Sequence, residues 1–81
     1  MTTSFETLTI LRSQIGRYTI STIDDNGILE TAIYRSLKKV VVVDRYGTTS
    51  AAVAGHKRWE AYCKDNPKSA YDVTYRRRLA L

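Results

Sequence analysis

The chain contains one helical pattern, and it follows four segments with the composition of β-strands. Thr48 comes directly after Gly47 and can cap the start of this helix through its hydroxyl. Pro67 disfavours helical geometry at Asn66, which itself tolerates the left-handed conformation of a helix end. At about 100° per residue, one narrow arc of the helix holds Ala52, His56, Trp59 and Cys63. A single amphipathic helix of about four to five turns must therefore cover the structure that the strands build.

Four segments before the helix are rich in β-branched or alternating apolar residues and are predicted to be strands. They span residues 5–11, 17–24, 28–35 and 40–44. The last of them holds four consecutive valines, which is typical of a central strand buried on both faces. After the helix, residues 71–75 alternate, with Tyr71, Val73 and Tyr75 on one side, and predict a final strand. The sequence predicts an α+β fold in the order β-β-β-β-α-β: an antiparallel sheet of four to five strands, covered on one face by a single amphipathic helix.

A two-residue turn at Asn26 and Gly27 joins the second and third predicted strands. This pair is a strong hairpin signal because both central positions of a type I′ turn need positive φ. The turn fixes the register, which places Ile20 opposite Ile33. The face assigned to the core beneath the helix then carries Tyr18, Ile20, Leu29 and Ile33.

The same register leaves three apolar side chains on the opposite face of the sheet, namely Ile23, Ile28 and Tyr34. That face is more apolar than contact with water requires, so either a loop covers it or it is a contact surface. We take these three residues as the candidate surface for a protein partner. Self-association through this face or through the last strand is a further expectation.

Length and composition indicate one small intracellular domain. Eighty-one residues are enough for a single core, so residues 1–81 are expected to form one domain. The single cysteine excludes an internal disulfide and fits a reducing compartment. No apolar run approaches the roughly 18 residues of a membrane span, and no signal peptide is visible. We expect a cytoplasmic location, or a place in a virion, and no membrane partner.

The residues needed for common enzyme chemistry are missing from the sequence. His56 and Cys63 are separated by about 10 Å of helical rise, too far for a direct dyad. There is no cluster of zinc ligands, and the four glycines are scattered. We therefore expect no catalytic residue, no metal site and no cofactor. His56 is expected to pack between helix and sheet with one ring nitrogen bonded to a backbone carbonyl, rather than to act as a pH switch.

Positive charge is concentrated in the last third of the chain. Residues 57–81 hold seven Lys and Arg against three Asp and Glu, whereas residues 1–56 hold six against five. Cationic and aromatic residues mix there as they do on nucleic-acid surfaces. The candidate nucleic-acid residues are Tyr71, Tyr75, Arg76, Arg77, Arg78, Lys57, Arg58 and Lys64. Consecutive arginines on a strand point to alternate faces, so only some can contact one ligand, and a solvated tail remains the alternative.

Three short motifs within residues 30–59 resemble a pattern found in small, uncharacterised proteins of tailed bacteriophages. That pattern has a strand of the type E-T-x-V/I-F, then R-Y-x-T, then a helix with E-A and G-H. The corresponding residues are Glu30-Thr31-Ala32-Ile33-Tyr34, Arg45-Tyr46-Gly47-Thr48, and Ala52 with Gly55-His56. The resemblance implies a phage origin and carries no activity and no functional residue.

The sequence supports three hypotheses of function. The first is a non-catalytic phage accessory protein that binds another protein, such as a host or defence factor. The second is a nucleic-acid-binding protein that uses the basic C-terminal segment. The third is a minor structural component of the virion.

Overall fold

The structure, a computed structural model, describes residues 7–81 and has an α+β architecture. Its elements are β1 (Thr7–Ile15), β2 (Tyr18–Asp25), β3 (Ile28–Tyr34), β4 (Val41–Tyr46), α1 (Thr49–Lys64), β5 (Ser69–Asp72) and β6 (Arg77–Ala80). The first four strands form an antiparallel sheet in the order β1-β2-β3-β4, and β5 pairs with β6 in a second, two-stranded sheet. Helix α1 packs across all four strands of the larger sheet. The predicted class and the helix-covered antiparallel sheet are confirmed.

The β2–β3 hairpin forms as the sequence predicts. Asn26 and Gly27 have φ values of 53° and 88°, and the Gly27 N–H donates to the Asp24 carboxylate at 2.7 Å. Ile20 lies opposite Ile33, as the two-residue turn requires. The predicted core face is buried beneath α1, and it consists of Tyr18, Ile20, Leu29 and Ile33.

Helix α1 begins after Thr48, whose Oγ1 accepts from the Ala51 N–H at 3.1 Å. It ends at Lys64, and Asn66 takes up the left-handed conformation with φ 52°. The predicted buried arc is confirmed for Ala52, His56 and Cys63. Trp59 is partly buried, packs against the core and donates from Nε1 to the Asp44 carboxylate at 3.3 Å.

Strand β4 is not the central strand that its four valines predict, because it lies at the end of the sheet order. Val43 is the extra residue of a bulge, between the pairs Val42–Ala32 and Asp44–Thr31. Val41 and Val43 are buried, whereas Val40 is 39% exposed. The run of valines gave the wrong position in the sheet because the C-terminal hairpin covers this edge of it. The Val73 N–H donates to the Val42 carbonyl at 2.8 Å.

The predicted final strand at residues 71–75 is wrong in its bounds and its orientation. Ala70 and Asp72 are the buried residues of β5, and Tyr71 is exposed. The chain then turns, because the Asp72 carboxylate accepts from the N–H groups of Thr74 and Tyr75 at 2.8 and 2.7 Å. Strand β6 follows this turn and has no counterpart in the sequence prediction.

Strand β1 also differs from its predicted range of residues 5–11. Residues 5 and 6 lie outside the part that the structure describes. Within the described part the strand continues to Ile15, four residues further than predicted, with a register shift between Thr9 and Leu11. Gly16, with φ 58°, then turns the chain directly into β2. The extension places Ser13 beneath the helix.

Candidate functional site

A cavity of about 410 Å³ lies between the loop of residues 35–40 and the C-terminal hairpin. Its lining residues are Lys38, Lys39, Val40, Val41, Tyr75, Arg77, Leu79 and Ala80. Three of these side chains carry positive charge, and none is acidic. The other lining residues are one tyrosine and four apolar residues.

Two further cavities continue from this one. A cavity of about 310 Å³ shares Lys38 and Lys39 with it, and a cavity of about 260 Å³ shares Arg35 with the second. Because neighbouring cavities share lining residues, we treat the three as one concave surface, the basic trough. Its six cations are Arg17, Arg35, Lys38, Lys39, Lys68 and Arg77. No Asp or Glu lines any of the three cavities.

The loop of the basic trough is held in place by its own hydrogen bonds. The Lys39 N–H donates to the Ser36 carbonyl at 3.0 Å, and the Lys38 N–H donates to the Ser36 hydroxyl at 3.3 Å. The Arg35 guanidinium donates to the main-chain oxygen of Leu81, the last residue of the sequence, and lies 5.8 Å from the centre of the Tyr18 ring. These contacts fix the backbone while the lysine side chains stay exposed.

Tyr75 is presented by a rigid turn at the other wall of the trough. Asp72 is buried and accepts from three backbone N–H groups, those of Val42, Thr74 and Tyr75. Tyr75 keeps 66% of its surface exposed, and the Arg77 guanidinium lies 5.9 Å from the centre of its ring. The nearest carboxylate of the hairpin is therefore saturated by backbone donors, and the ring faces solvent.

Several acidic residues lie away from the basic trough, whereas the buried Asp72 is opposite Arg77 in the hairpin register. Asp24 and Asp25 end β2 at the turn opposite the 35–40 loop, and β3 separates these two ends by about 23 Å. Glu30 pairs with Arg45 at 3.2 Å. Among residues 7–81, no Asp or Glu side chain forms a salt bridge with a trough cation. Acidic side chains of the described residues therefore do not neutralise the trough cations.

The structure divides the predicted nucleic-acid residues into separate groups. Tyr75 and Arg77 line the trough. Tyr71 lies opposite Arg78 in the hairpin register and faces the other way, and Arg76 lies in the turn with φ 57°. Lys57, Arg58 and Lys64 are exposed on α1 and line none of the three cavities. The expectation that consecutive arginines would point to alternate faces agrees with this register.

Sequence reasoning missed most of the trough cations. Arg35 ends the third predicted strand, Lys38 and Lys39 stand in what reads as a short connection, and all three belong to the part of the chain whose charges nearly cancel. The sequence feature that could have pointed to them is three cations within five residues, from the end of the third predicted strand to the start of the fourth. In the structure Asp24 and Asp25 lie at the other end of β2 and β3 from these cations.

The predicted protein-binding residues lie on the sheet face away from α1. The register places Ile23 opposite Glu30, and Ile28 opposite Asp25, one step out of phase with the buried face. Ile28 is 53% exposed, and Ile23 and Tyr34 are half-buried. The structure keeps the three residues on one face without bringing them into a cavity.

A buried chain of hydrogen bonds crosses the interface between helix and sheet. His56 is only 1% exposed, and its Nδ1 lies 2.7 Å from Thr22 Oγ1. Its Nε2 lies 2.8 Å from Ser13 Oγ, which in turn donates to the Glu60 carboxylate. We call this chain the polar relay, and its members are Tyr46, Thr31, Thr22, His56, Ser13 and Glu60. The predicted backbone-carbonyl partner of His56 is wrong, since both ring nitrogens contact hydroxyl groups.

The polar relay has one consistent direction of donation. An ionised Glu60 only accepts, so Ser13 donates to it and accepts from the His56 Nε2–H. Nδ1 then accepts from the Thr22 hydroxyl. The Thr22 and Thr31 oxygens lie 2.6 Å apart, and those of Thr31 and Tyr46 lie 2.8 Å apart. With a neutral imidazole, the Ser13, Thr22 and Thr31 hydroxyls each donate once and accept once, and the Tyr46 hydroxyl donates at the end of the relay.

Burial shifts the pKa of several groups in this interior. It lowers the pKa of the His56 imidazole from its ordinary 6.5, against the raising effect of the Glu60 carboxylate. It raises the pKa of the Tyr46 hydroxyl above 10.0. Burial also raises the pKa of the Cys63 thiol to about 11, so Cys63 packs as a small buried apolar group.

No match was found for this chain among protein-family models, curated proteins or solved structures. In residues 7–81, no group of three or more His, Cys, Asp and Glu side chains is placed to hold a metal ion. Nor does the described part of the chain contain a helix long and apolar enough to cross a membrane. A function is therefore inferred from the geometry of the basic trough, the polar relay and the outer sheet face, which is the face that α1 does not cover.

Proposed function

We propose that the protein binds nucleic acid through the basic trough. The observation that carries this proposal is the line of six cations along three adjoining cavities that have no acidic lining residue. Contacts with phosphate supply most of the affinity of proteins for nucleic acid, and they require this kind of uncompensated positive surface. The sequence alone favoured a protein partner, and the trough supports the nucleic-acid alternative better.

The trough also offers contacts that a phosphate group alone does not use. Tyr75 is exposed at one wall, and Leu79 and Val41 line the same cavity. Bases have apolar faces that stack on aromatic rings, whereas the phosphate backbone follows cations. Both kinds of group occur together in the cavity between the 35–40 loop and β6.

Reversing two trough charges should abolish most of this binding. We expect the double variant Lys38→Glu/Lys39→Glu to bind a labelled oligonucleotide at least about tenfold more weakly at low salt, because two phosphate contacts are lost. The slope of log K against log salt should fall by about 1.4, since each single-strand phosphate contact contributes about 0.7. Fluorescence anisotropy over a salt series measures both quantities.

The matched control makes the same change in net charge elsewhere. Lys57→Glu/Lys64→Glu alters two exposed lysines of α1 that line none of the three cavities. At about 0.15 M salt its affinity should stay within about threefold of the parent, because charges more than about 8 Å from the bound strand are largely screened there. Absence of binding by the parent at low salt, or equal losses in both double variants, would contradict the proposed function.

Binding of another protein through the outer sheet face is the second candidate function. It is favoured by Ile28, which is more than half exposed on the face that α1 does not cover, with Ile23 and Tyr34 nearby on the same face. A protein of the cell or phage in which the chain works would be such a partner, and the phage origin remains a prediction. A structural role in the virion is the further proposal.

Replacing Ile28 with Asp tests this second candidate. An exposed side chain contributes little to stability, so we expect an unchanged urea midpoint together with loss of any specific partner recovered from host lysate. Ala54→Asp is the control, since Ala54 is exposed on α1, which covers the other face of the sheet. Recovery of the same partner by the Ile28 variant would remove this surface from consideration.

A further inference from the structure

We infer that the basic trough takes a single-stranded segment of nucleic acid rather than a duplex, with one base stacked on Tyr75. This inference rests on the proposed function and names its substrate class. It is carried by the presentation of Tyr75, the shape of the trough and the order of the cations along it.

Tyr75 is positioned as a stacking platform before any ligand arrives. The turn that carries it is held by Asp72, which is buried and accepts from the backbone of Tyr75 itself and of Thr74. The same carboxylate accepts from the Val42 N–H at 3.0 Å and so ties the turn to the edge of the larger sheet. The backbone of such a turn loses little conformational entropy on binding, which favours the use of its exposed ring in recognition.

The shape of the trough favours a single strand. Proteins read duplex DNA by placing a convex helix or strand pair into a major groove about 12 Å wide. The basic trough is concave and lies between a loop and a hairpin, in a molecule whose two shorter extents are 26 and 22 Å. Helix α1 contributes no residue to the lining of its three cavities. A flexible strand can enter such a surface, whereas a rigid duplex would only touch its rim.

The cations follow one another along the trough. Arg77 stands beside Lys38 and Lys39 in the first cavity, these two lysines join Arg35 in the second, and Arg35 meets Arg17 in the third. Such a succession matches the phosphates of an extended strand better than a single anionic group, which would need one cluster. The strand would then run from the stacked base at Tyr75 towards the β1–β2 turn.

Substitution of Tyr75 tests the inference, and Tyr71 supplies the control. Both tyrosines are exposed in the C-terminal hairpin, but Tyr71 is on the face opposite the trough. Tyr75→Leu should weaken binding of oligo-dT of about 12 nucleotides by about 5- to 150-fold, the usual contribution of one stacked base. Tyr75→Phe should retain binding within about threefold, and Tyr71→Leu should bind as the parent does, because neither change removes a ring from the trough.

The same titrations with other polyanions separate the possible ligands. Binding of inorganic polyphosphate, which has no bases, should be unchanged by Tyr75→Leu, and a duplex of the same length should bind more weakly than the single strand. Urea midpoints of the four proteins should agree, because both tyrosines are exposed.

Three outcomes would overturn the inference. Oligonucleotide binding that is lost in Lys38→Glu/Lys39→Glu but unaffected by Tyr75→Leu would leave the proposed function standing and remove the stacked base. A duplex that binds as tightly as the single strand would remove the preference for single strands. Equal or tighter binding to vesicles rich in phosphatidylserine would assign the trough and exposed Leu37 to a membrane surface instead. If no oligonucleotide binds at low salt, the proposed function itself fails.

Discussion

His56→Ala is expected to remove about 3–5 kcal/mol of folding stability, which for a domain of this size leaves little or no folded protein. The substitution empties a site that is 99% buried and leaves the Thr22 and Ser13 hydroxyls without their shared partner. The Ser13 hydroxyl would still donate to the Glu60 carboxylate, but it would no longer accept a hydrogen bond from His56. Urea unfolding followed by the fluorescence of Trp59 measures the loss.

Thr22→Val separates the hydrogen bonds from the packing, because valine has nearly the same shape as threonine. It should cost about 1–3 kcal/mol, since it leaves Nδ1 of His56 and the Thr31 hydroxyl without the Thr22 oxygen. The control is Thr19→Val in the same strand, where the hydroxyl is bonded to the exposed Gln14 and the change should cost less than about 0.5 kcal/mol. Similar losses for both variants would show that the relay contributes nothing beyond packing.

The pH dependence of the same unfolding free energy follows from the lowered pKa of His56. Between its folded pKa and 6.5, the unfolded chain binds the proton that the folded protein does not. The stability that the neutral ring contributes is therefore complete above pH 6.5 and declines as pH falls below it, by at most about 1.4 kcal/mol per pH unit. A His56→Gln variant that still folds should lose this slope; an equal slope in parent and variant would assign it to other groups.

Short-range turn chemistry made the β2–β3 hairpin and the start of α1 predictable. Asn26-Gly27 fixes a register through its own backbone geometry, and Thr48 supplies its cap within three residues. Both signals act over a few residues and do not depend on the rest of the fold. The same holds for the buried arc of α1, which follows from helical spacing alone.

The C-terminal hairpin could not be predicted because its turn depends on a distant contact. Residues 73–76 contain no Gly, Pro or Asn, and Arg76 adopts φ 57° without the usual turn residues. The turn is made instead by the buried Asp72 carboxylate, which also binds the Val42 N–H, 30 residues away in sequence. A local pattern cannot show which carboxylate will be buried against another strand.

The trough and the polar relay were hidden from the sequence for a similar reason. His56 meets Ser13 and Thr22, which precede it by 43 and 34 residues, so its partners depend on the sheet order and on the extension of β1. The trough brings together Arg17, the 35–40 loop and Arg77 only after the sheet and the hairpin have formed. Residue types and charges were visible, but their neighbours were not.

The fold places its polar side chains in two separate sites, the buried polar relay and the exposed basic trough. The polar relay gives its buried side chains hydrogen-bond partners, and in residues 7–81 no buried side-chain nitrogen or oxygen lacks one. The trough keeps its cations exposed and unpaired with acidic side chains at the end of the sheet away from Asp24 and Asp25. Substitutions in the polar relay should therefore change the free energy of unfolding, and substitutions in the trough should change the affinity for ligand, each without affecting the other.

Gly55→Ala is expected to destabilise the protein by about 2 kcal/mol, although alanine favours helix by about 1 kcal/mol over glycine. A Cβ at this position would lie 2.3 Å from the Tyr46 hydroxyl oxygen and from the ring carbon Cε1. The ring would have to move, and the hydrogen bond from Tyr46 to Thr31 at the end of the polar relay would be broken. Thermal and urea unfolding measure the loss.

If the clash with the Tyr46 ring causes the destabilisation, Gly55→Ala should become stabilising in a variant that lacks this ring. Tyr46→Leu removes every ring atom that the new Cβ would meet, so in that background Gly55→Ala should stabilise the protein by up to about 1 kcal/mol. Gly47→Ala is the control for adding a methyl group, because nothing lies within 4 Å of the Cβ it would introduce. Additive effects of the Gly55 and Tyr46 substitutions, or a Gly55→Ala variant as stable as the parent, would show that the ring does not require glycine at this point of the helix.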